Sequence, residues 1–355
     1  MDYYSSRKAI FGIFIVIVIA MLSWISFQDA QGSSPTGEEY SEADPVKIFL
    51  PMLFNVSNAD GGDPPYSGLP PEDPTWLEYL NYIRSLAGLS PVTENSDWSQ
   101  GGWLHARYMV KNDFIGHSED PANDWFSSEG DLAARTSNLL ASSSHTATDN
   151  AAVSGWIQAP FHGVGILDPQ LQEVGFGSFR EQDGGFQMGA ALDVLRGLGV
   201  VPDAATFPIA WPGEGASVPL TAHTGEYPNP LTSCPGYSTP AGLPIILQVG
   251  AGDLTPQITS HAFRSGGQDL PHCLFDETSY TNPDHSSQSL GRAILDSRDA
   301  IVLIPRDPLL PGKTYSVSIT VNGDTHQWSF SAAAEASTTR SWLADHGENW
   351  EISLP

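Results

Sequence analysis

Basic residues are scarce in this chain of 355 residues. Lysine and arginine together number 15 against 41 aspartates and glutamates, which gives a formal net charge of −26. A surface with this charge repels phosphate backbones, so we expect no nucleic-acid partner. The sequence also lacks a Walker loop and a dinucleotide-binding fingerprint, and we therefore expect no nucleotide cofactor.

Cysteine is nearly absent as well. The only two cysteines are Cys234 and Cys273, and neither lies in a CxxC or Cys/His finger spacing, which excludes a structural zinc finger. In an exported protein an even number of cysteines permits a disulfide, and we expect one between these two residues, with two free thiols as the alternative. No Gly-x-Ser-x-Gly elbow and no His-Glu-x-x-His helix is present to supply a nucleophile or a metal base.

The N-terminal part predicts export. Arg7 and Lys8 precede an uncharged apolar run from Ala9 to Phe27, long enough as a helix to cross a hydrocarbon core of about 30 Å. Basic residues before this run and acidic residues after it place the remainder outside the cytoplasm. We predict that residues 1–30 are a signal peptide or membrane anchor, and the poor cleavage site near Ala30 favours the anchor. The Gly- and Pro-rich residues 31–72 are predicted to be an extracytoplasmic linker.

Two folded regions of different type follow. Residues 73–200 carry helix signals first and strand signals last, which indicates a mixed α/β domain. Residues 201–335 contain short β runs separated by turn residues, among them Asn322-Gly323, and this pattern is typical of a β-sandwich. Residues 336–355 form a polar tail. The helices are predicted at Thr75–Ala87, Asp97–Val110, Asp131–Leu140 and Thr148–Gln158, and the first strands at Glu173–Phe179 and Gln187–Leu195.

Two histidines are the candidates for chemistry. His117 follows the end of the second helix in Phe114-Ile-Gly-His-Ser, and His162 follows a proline, where we predict a turn. Two imidazoles carried by loops could hold a divalent ion such as zinc. The acidic residues Glu129 and Asp131 lie nearby in sequence and could act as a base, although a solvated acidic loop is the preferred explanation for them. His105 lies on the apolar stripe of its helix and is predicted to be buried and hydrogen-bonded.

Several motifs resemble one known family in their order along the chain. Together they are similar to the bacterial branch of the CAP family (cysteine-rich secretory proteins, antigen 5 and pathogenesis-related 1), also called the SCP domain, over residues 73–200. Residues 201–335 more loosely resemble an immunoglobulin-like module. The motifs are Leu80-Asn-Tyr-Ile-Arg84, His105-Ala-Arg-Tyr-Met109, Gly116-His-Ser118, Ala159-Pro-Phe-His162, Ile166-Leu-Asp-Pro169 and Val174-Gly-Phe-Gly177.

The resemblance implies an α-β-α sandwich with an open cleft that holds two histidines and two glutamates. His117 and His162 match the two histidines. Ser137 stands where the first glutamate is expected, and Gln158-Ala159 stand where the second is expected. Without both acids, metal binding and general-base catalysis are less favoured here than in the family at large.

The sequence therefore favours one function over two alternatives. The preferred interpretation is an α+β, non-catalytic CAP-domain protein at a bacterial cell surface, which binds a lipid, glycan or protein in a cleft near His117, His162, Ser137 and Glu129. Trp125, Phe126 and Phe161 could line that cleft or lie in the core. One alternative is a zinc-assisted hydrolase that uses His117 and His162, with Glu129 or Asp131 as the base. The other is a structural or adhesive surface protein.

Overall fold

The computed structural model describes residues 74–182 and 184–334, together with the backbone of two short strands, Val46–Ile48 and Glu348–Ser353. The predicted signal or anchor helix and nearly all of the predicted linker lie outside the described residues. Among the residues described, no helix is long and apolar enough to span a membrane.

Helices and strands are both abundant, which confirms the predicted α+β class. The helices are α1 (Trp76–Ser85), α2 (Ser96–Asn112), α3 (Ser128–Thr136), α4 (Asp149–Ile157), α5 (Pro160–Ile166) and α6 (His285–Asp296). The strands before residue 200 are β1 (Val46–Ile48), β2 (Thr93–Glu94), β3 (Ser137–Ser142), β4 (Glu173–Arg180) and β5 (Met188–Asp193). Those after it are β6 (Ile209–Trp211), β7 (Ser217–Val218), β8 (Ala222–His223), β9 (Ala241–Gly242), β10 (Ile245–Gln248), β11 (Ile258–Ser265), β12 (Gln268–Asp269), β13 (His272–Phe275), β14 (Ala300–Pro305), β15 (Thr314–Val321), β16 (Asp324–Ala332) and β17 (Glu348–Ser353).

The first helix begins as its sequence predicts. The Thr75 side chain accepts a hydrogen bond from the Glu78 backbone N–H, and the Glu78 carboxylate accepts one from the Thr75 backbone N–H. This capping box satisfies backbone donors that would otherwise have no partner in the first turn. The helix buries Tyr79, Leu80 and Ile83 on one face, so α1 is fixed in the core from its first turn.

A six-stranded sheet lies at the centre of the first region, in the order β1-β17-β3-β5-β4-β2. Alternation along β4 gives its two faces different roles. Phe176 packs against Trp76 and Trp156 on one side. On the other side, a Cβ atom on Gly177 would lie 1.9 Å from the backbone nitrogen of Trp103. Helix α2 therefore rests directly on the backbone of β4, and the sheet separates α2 from the core formed with α1 and α4.

The second region contains two larger sheets, in the orders β13-β14-β10-β6 and β12-β11-β15-β16-β7. The Asn322-Gly323 hairpin is confirmed, because Val321 pairs with Asp324 and both loop residues have positive φ. The described residues of both regions share one large hydrophobic cluster. The disulfide between Cys234 and Cys273 is confirmed, with 5.5 Å between the Cα atoms.

Three sequence predictions about local structure were wrong, and a strand lies in the tail. Residues 137–140 lie in strand β3 rather than at the end of a helix, and all six residues of β3 are buried and paired with β5. His162 lies inside helix α5 rather than in a turn. Helix α6 occurs in a region where only strands were expected. The tail, to which no structure was assigned, contributes strand β17, paired with β3.

Candidate functional site

His162 is enclosed by protein on all sides. Its Nδ1 atom lies 2.8 Å from the Oε2 atom of Glu226, and neither side chain is exposed. The other carboxylate oxygen of Glu226 accepts a hydrogen bond from the Phe161 backbone N–H at 3.2 Å. Because Glu226 belongs to the second region, the histidine that was predicted to line an open cleft is instead covered by a residue 64 positions further along the chain.

A second histidine lies beside the same carboxyl group. His223 is fully buried, and its Nδ1–H donates to the carbonyl oxygen of Gln158 at 2.9 Å. Burial raises the pKa of Glu226 to about 8, although the neighbouring His223 opposes the shift. Burial lowers the pKa of His223 from its ordinary value, while Glu226 raises it. Both shifts favour the uncharged groups, as expected where water is excluded.

His105 forms another buried pair with a glutamate. Its Nδ1 atom lies 3.0 Å from Oε1 of Glu119, and its Nε2 atom lies 3.0 Å from the carbonyl oxygen of Gly116. Glu119 also accepts a hydrogen bond from the Ser127 backbone N–H at 2.9 Å. The prediction of a buried, hydrogen-bonded His105 is confirmed. The pair anchors both ends of the segment 116–127 to helix α2, a structural role.

His117 lies on that anchored segment and is half-buried. Its Nδ1–H donates to the carbonyl oxygen of Ala134, near the C-terminal end of α3, at 2.6 Å. The structure therefore gives His117 and His162 different partners. Within the described ranges, no three His, Cys, Asp or Glu side chains are grouped so that they could hold one metal ion.

Neither acidic candidate forms a hydrogen bond or ion pair with His117 or His162. Glu129 is exposed and accepts a hydrogen bond from the Ser128 hydroxyl. Asp131 accepts from the Glu119 backbone N–H and forms an ion pair with Arg135. Ser137 is buried at the start of β3, and its hydroxyl has no hydrogen-bond partner among the described residues. None of these three side chains supplies the missing glutamates.

A surface of tryptophan and cationic side chains adjoins the His117 segment, and we call it the tryptophan–arginine patch. It consists of Trp103, Arg107, Lys111 and Trp125. The guanidinium carbon of Arg107 lies 5.0 Å from the ring centroid of Trp103 and 5.2 Å from that of Trp125. The Lys111 Nζ atom lies 5.1 Å from the Trp125 ring and 2.6 Å from Glu181. Trp103, Arg107 and Lys111 are spaced four residues apart on α2, which aligns them on one face.

A groove of about 670 Å³ lies elsewhere, between the end of α1 and strand β16. It is lined by residues that include Leu86, Gly213 and Trp328. None of the histidines, acids or aromatic residues singled out from the sequence lines it. No sequence pattern indicated that Glu226 would be a partner of His162. The two residues meet because the second region docks on the first.

Comparison with known families agrees with the fold of the first region. Residues 77–192 match the model of the CAP family, the cysteine-rich secretory protein family. The chain therefore contains a CAP domain. No curated protein matches the chain.

Proposed function

We propose that this protein is a non-catalytic, extracytoplasmic CAP-domain protein that binds an anionic ligand at the cell surface. The observation that carries the proposal is the buried pair of His162 and Glu226, neither of which is exposed. A catalytic histidine must reach its substrate directly or through one water molecule. His162 has no such access in this arrangement. His117 and His162 therefore cannot act together on a substrate.

The ligand surface that we propose is the tryptophan–arginine patch. Arg107 makes no ion pair and no hydrogen bond with any described residue, and its guanidinium group lies against the two tryptophan rings. In a chain with a net charge of −26, a guanidinium without an acidic partner is a distinctive feature. Guanidinium groups bind carboxylates and phosphates through paired hydrogen bonds. The half-buried tryptophans add flat apolar surface beside this charge.

This chemistry fits a carboxylate or phosphate on a surface glycan or on a lipid headgroup. An extracytoplasmic location is supported by the Cys234–Cys273 disulfide, since disulfides persist mainly in oxidising compartments. The basic residues before the N-terminal apolar run support the same location.

The test compares two probes on the full-length protein. One is a suspension of phosphatidylglycerol vesicles with phosphatidylcholine vesicles as reference, and the other is a uronic-acid polysaccharide with a neutral glucan as reference. We expect the protein to bind one anionic probe and Arg107→Gln to weaken that binding at least about tenfold. Arg264→Gln is the matched control, because Arg264 is an exposed arginine already paired with Asp269. Equal binding by the Arg107 variant, or no binding of either anionic probe by the wild type, contradicts the proposal.

The zinc-assisted hydrolase receives less support from the geometry. His117 bonds to Ala134 and His162 to Glu226, and the replacement acids Glu129 and Asp131 form no hydrogen bond or ion pair with either histidine. Metal analysis of the purified protein tests this alternative. One zinc ion per chain in the wild type, and none in a double variant with His117→Ala and His162→Ala, would support the hydrolase.

A further inference from the structure

Two histidines of the second region face each other at the rim between its two large sheets. His261 lies on β11 and His272 begins β13, and these strands belong to different sheets. The Nδ1 atom of His261 lies 2.8 Å from the Nε2 atom of His272, and the ring planes are inclined by 79°. His261 is exposed and His272 is half-buried, so solvent reaches this pair.

The tautomer of His272 is fixed by its second hydrogen bond. Its Nδ1–H donates to the carbonyl oxygen of Leu270 at 2.7 Å. The proton is therefore on Nδ1, and Nε2 presents a lone pair toward His261. Histidines that bind metals commonly have this arrangement, in which the nitrogen remote from the metal donates to a carbonyl or carboxylate. The His272 ring also packs edge-on against Phe263 at 6.2 Å, which restricts its rotation.

The His261 ring is held by one neighbouring side chain among the described residues, that of His272. Arg264 on β11 and Asp269 on β12 form an ion pair with each other. Within the part of the chain that the structure describes, the His261 ring can therefore turn without breaking a contact other than that with His272.

We propose that His261 and His272 together bind one Cu²⁺ ion. Cu²⁺ prefers a tetragonal arrangement, in which neighbouring ligands subtend an angle of about 90° at the metal. Two nitrogen ligands in this arrangement, each about 2.0 Å from the metal, are about 2.8 Å apart. The two ring nitrogens already have this separation. A tetrahedral zinc site needs about 3.3 Å between its nitrogens, and Cu²⁺ also binds nitrogen ligands more tightly than Zn²⁺ does.

Binding requires one rearrangement that conserves the proton. In the metal-free protein the His261 Nδ1–H donates to Nε2 of His272. When the ion binds, that proton moves to Nε2 of His261 through solvent, and the His261 ring turns so that its Nδ1 lone pair, like that of Nε2 of His272, is directed at the metal. Water completes the coordination, since the described part of the chain places no third His, Cys, Asp or Glu side chain in a metal-binding group here. The bound ion would link the two sheets and stabilise the folded protein by mass action.

The test is a Cu²⁺ titration of the full-length protein with its disulfide intact and no histidine tag. We expect one ion per chain by calorimetry, with a dissociation constant on the order of micromolar, and an electron paramagnetic resonance spectrum of an axial Cu²⁺ site with two nitrogen ligands. Zn²⁺ should bind at least about tenfold more weakly.

Matched variants separate this site from other histidines. The double variant with His261→Gln and His272→Gln should weaken Cu²⁺ binding at least about a hundredfold. The control variant His285→Gln, at an exposed histidine on α6, should leave Cu²⁺ binding unchanged. Saturating Cu²⁺ should raise the melting temperature of the wild type and not that of the double variant. Unchanged affinity in the double variant, or no binding by the wild type at micromolar concentrations, would overturn the proposal. Both results are independent of ligand binding at Arg107.

Discussion

The Nδ1 atom of His162 lies 2.8 Å from the Oε2 atom of Glu226, and both side chains are fully buried. The histidine comes from helix α5 of the CAP domain, and the glutamate comes from the second region. Phe161 reinforces this junction, because its ring packs against Tyr280 and Phe275. The pair therefore fixes the second region onto the CAP domain and leaves the His162 side chain without solvent exposure.

Glu226→Gln should change how stability depends on pH. The folded-state pKa of Glu226 is about 8, above its ordinary value of 4.5, so between these values the folded protein binds a proton that the unfolded chain has lost. The wild type should therefore lose stability relative to the variant as pH rises from 5 to 8, by on the order of 3 kcal/mol. Urea unfolding of the wild type and the variant between pH 5 and pH 8 measures this difference in the free energy of unfolding. A difference in the free energy of unfolding that does not change with pH would show that Glu226 stays ionised in the folded protein. His223 has a lowered pKa and acts in the opposite direction below its ordinary value of 6.5, but it is present in both proteins.

Arg84→Met should destabilise the protein by about 3–5 kcal/mol. The buried Arg84 guanidinium donates to the carbonyl oxygens of Ile166, Asp168 and Leu171, which follow or end α5. Removing it leaves these buried acceptors without a donor. Arg135→Met is the control, since Arg135 forms an exposed ion pair within α3 and should change the free energy of unfolding by less than about 0.5 kcal/mol. Similar effects of both variants would show that the Arg84 network contributes nothing specific.

Gly177→Ala should destabilise by about 3 kcal/mol or more, because the new Cβ atom would lie 1.9 Å from the Trp103 backbone nitrogen. A backbone atom cannot move aside without lifting α2 from the sheet. Gly165→Ala, whose Cβ would lie 3.4 Å from the nearest atom, on Val194, should be neutral or slightly stabilising because alanine favours the helix. Thermal unfolding of the two variants checks this, and a harmless substitution at Gly177 would refute the close packing of α2 on β4.

Glu119→Ala should loosen the segment 116–127. The variant loses the contacts of the carboxylate with His105 and with the Ser127 backbone N–H, and it leaves a buried imidazole without its partner. We expect faster amide hydrogen exchange across this segment and weaker ligand binding, since Trp125 lies on it. Glu129→Ala, at an exposed position in the next helix, should leave exchange unchanged. Equal exchange in the Glu119 variant and the wild type would contradict the anchoring role.

Local signals made part of this fold predictable. The capping box of Thr75 and Glu78 and the Asn322-Gly323 turn are each specified by a few adjacent residues, and both are present. Helix α6 was missed because its sequence is rich in serine, although Asp284 caps it by accepting from the Ser287 backbone N–H. Its position depends on tertiary packing, since Gly291 lies against Tyr280 and Phe161.

The candidate site was less predictable than the fold. His117 and His162 were recognised from motifs, but motifs carry no information on what covers a side chain. Glu226 lies in a stretch of turns, Gly225-Glu-Tyr-Pro-Asn-Pro230, that resembles many surface loops. Its burial against His162 results from the docking of two regions, an interaction between residues distant in sequence that no local pattern encodes.

Chemical labelling of histidine tests the central claim most directly. The native protein would be treated briefly with diethyl pyrocarbonate, and the modified histidines would be identified by peptide mass spectrometry. The account predicts that His162 remains unmodified while the exposed His145 and His285 react, and that His162 reacts after unfolding in urea. Labelling of His162 in the native protein at a rate near that of His145 would contradict it, because the CAP-domain histidine would then be open to substrate.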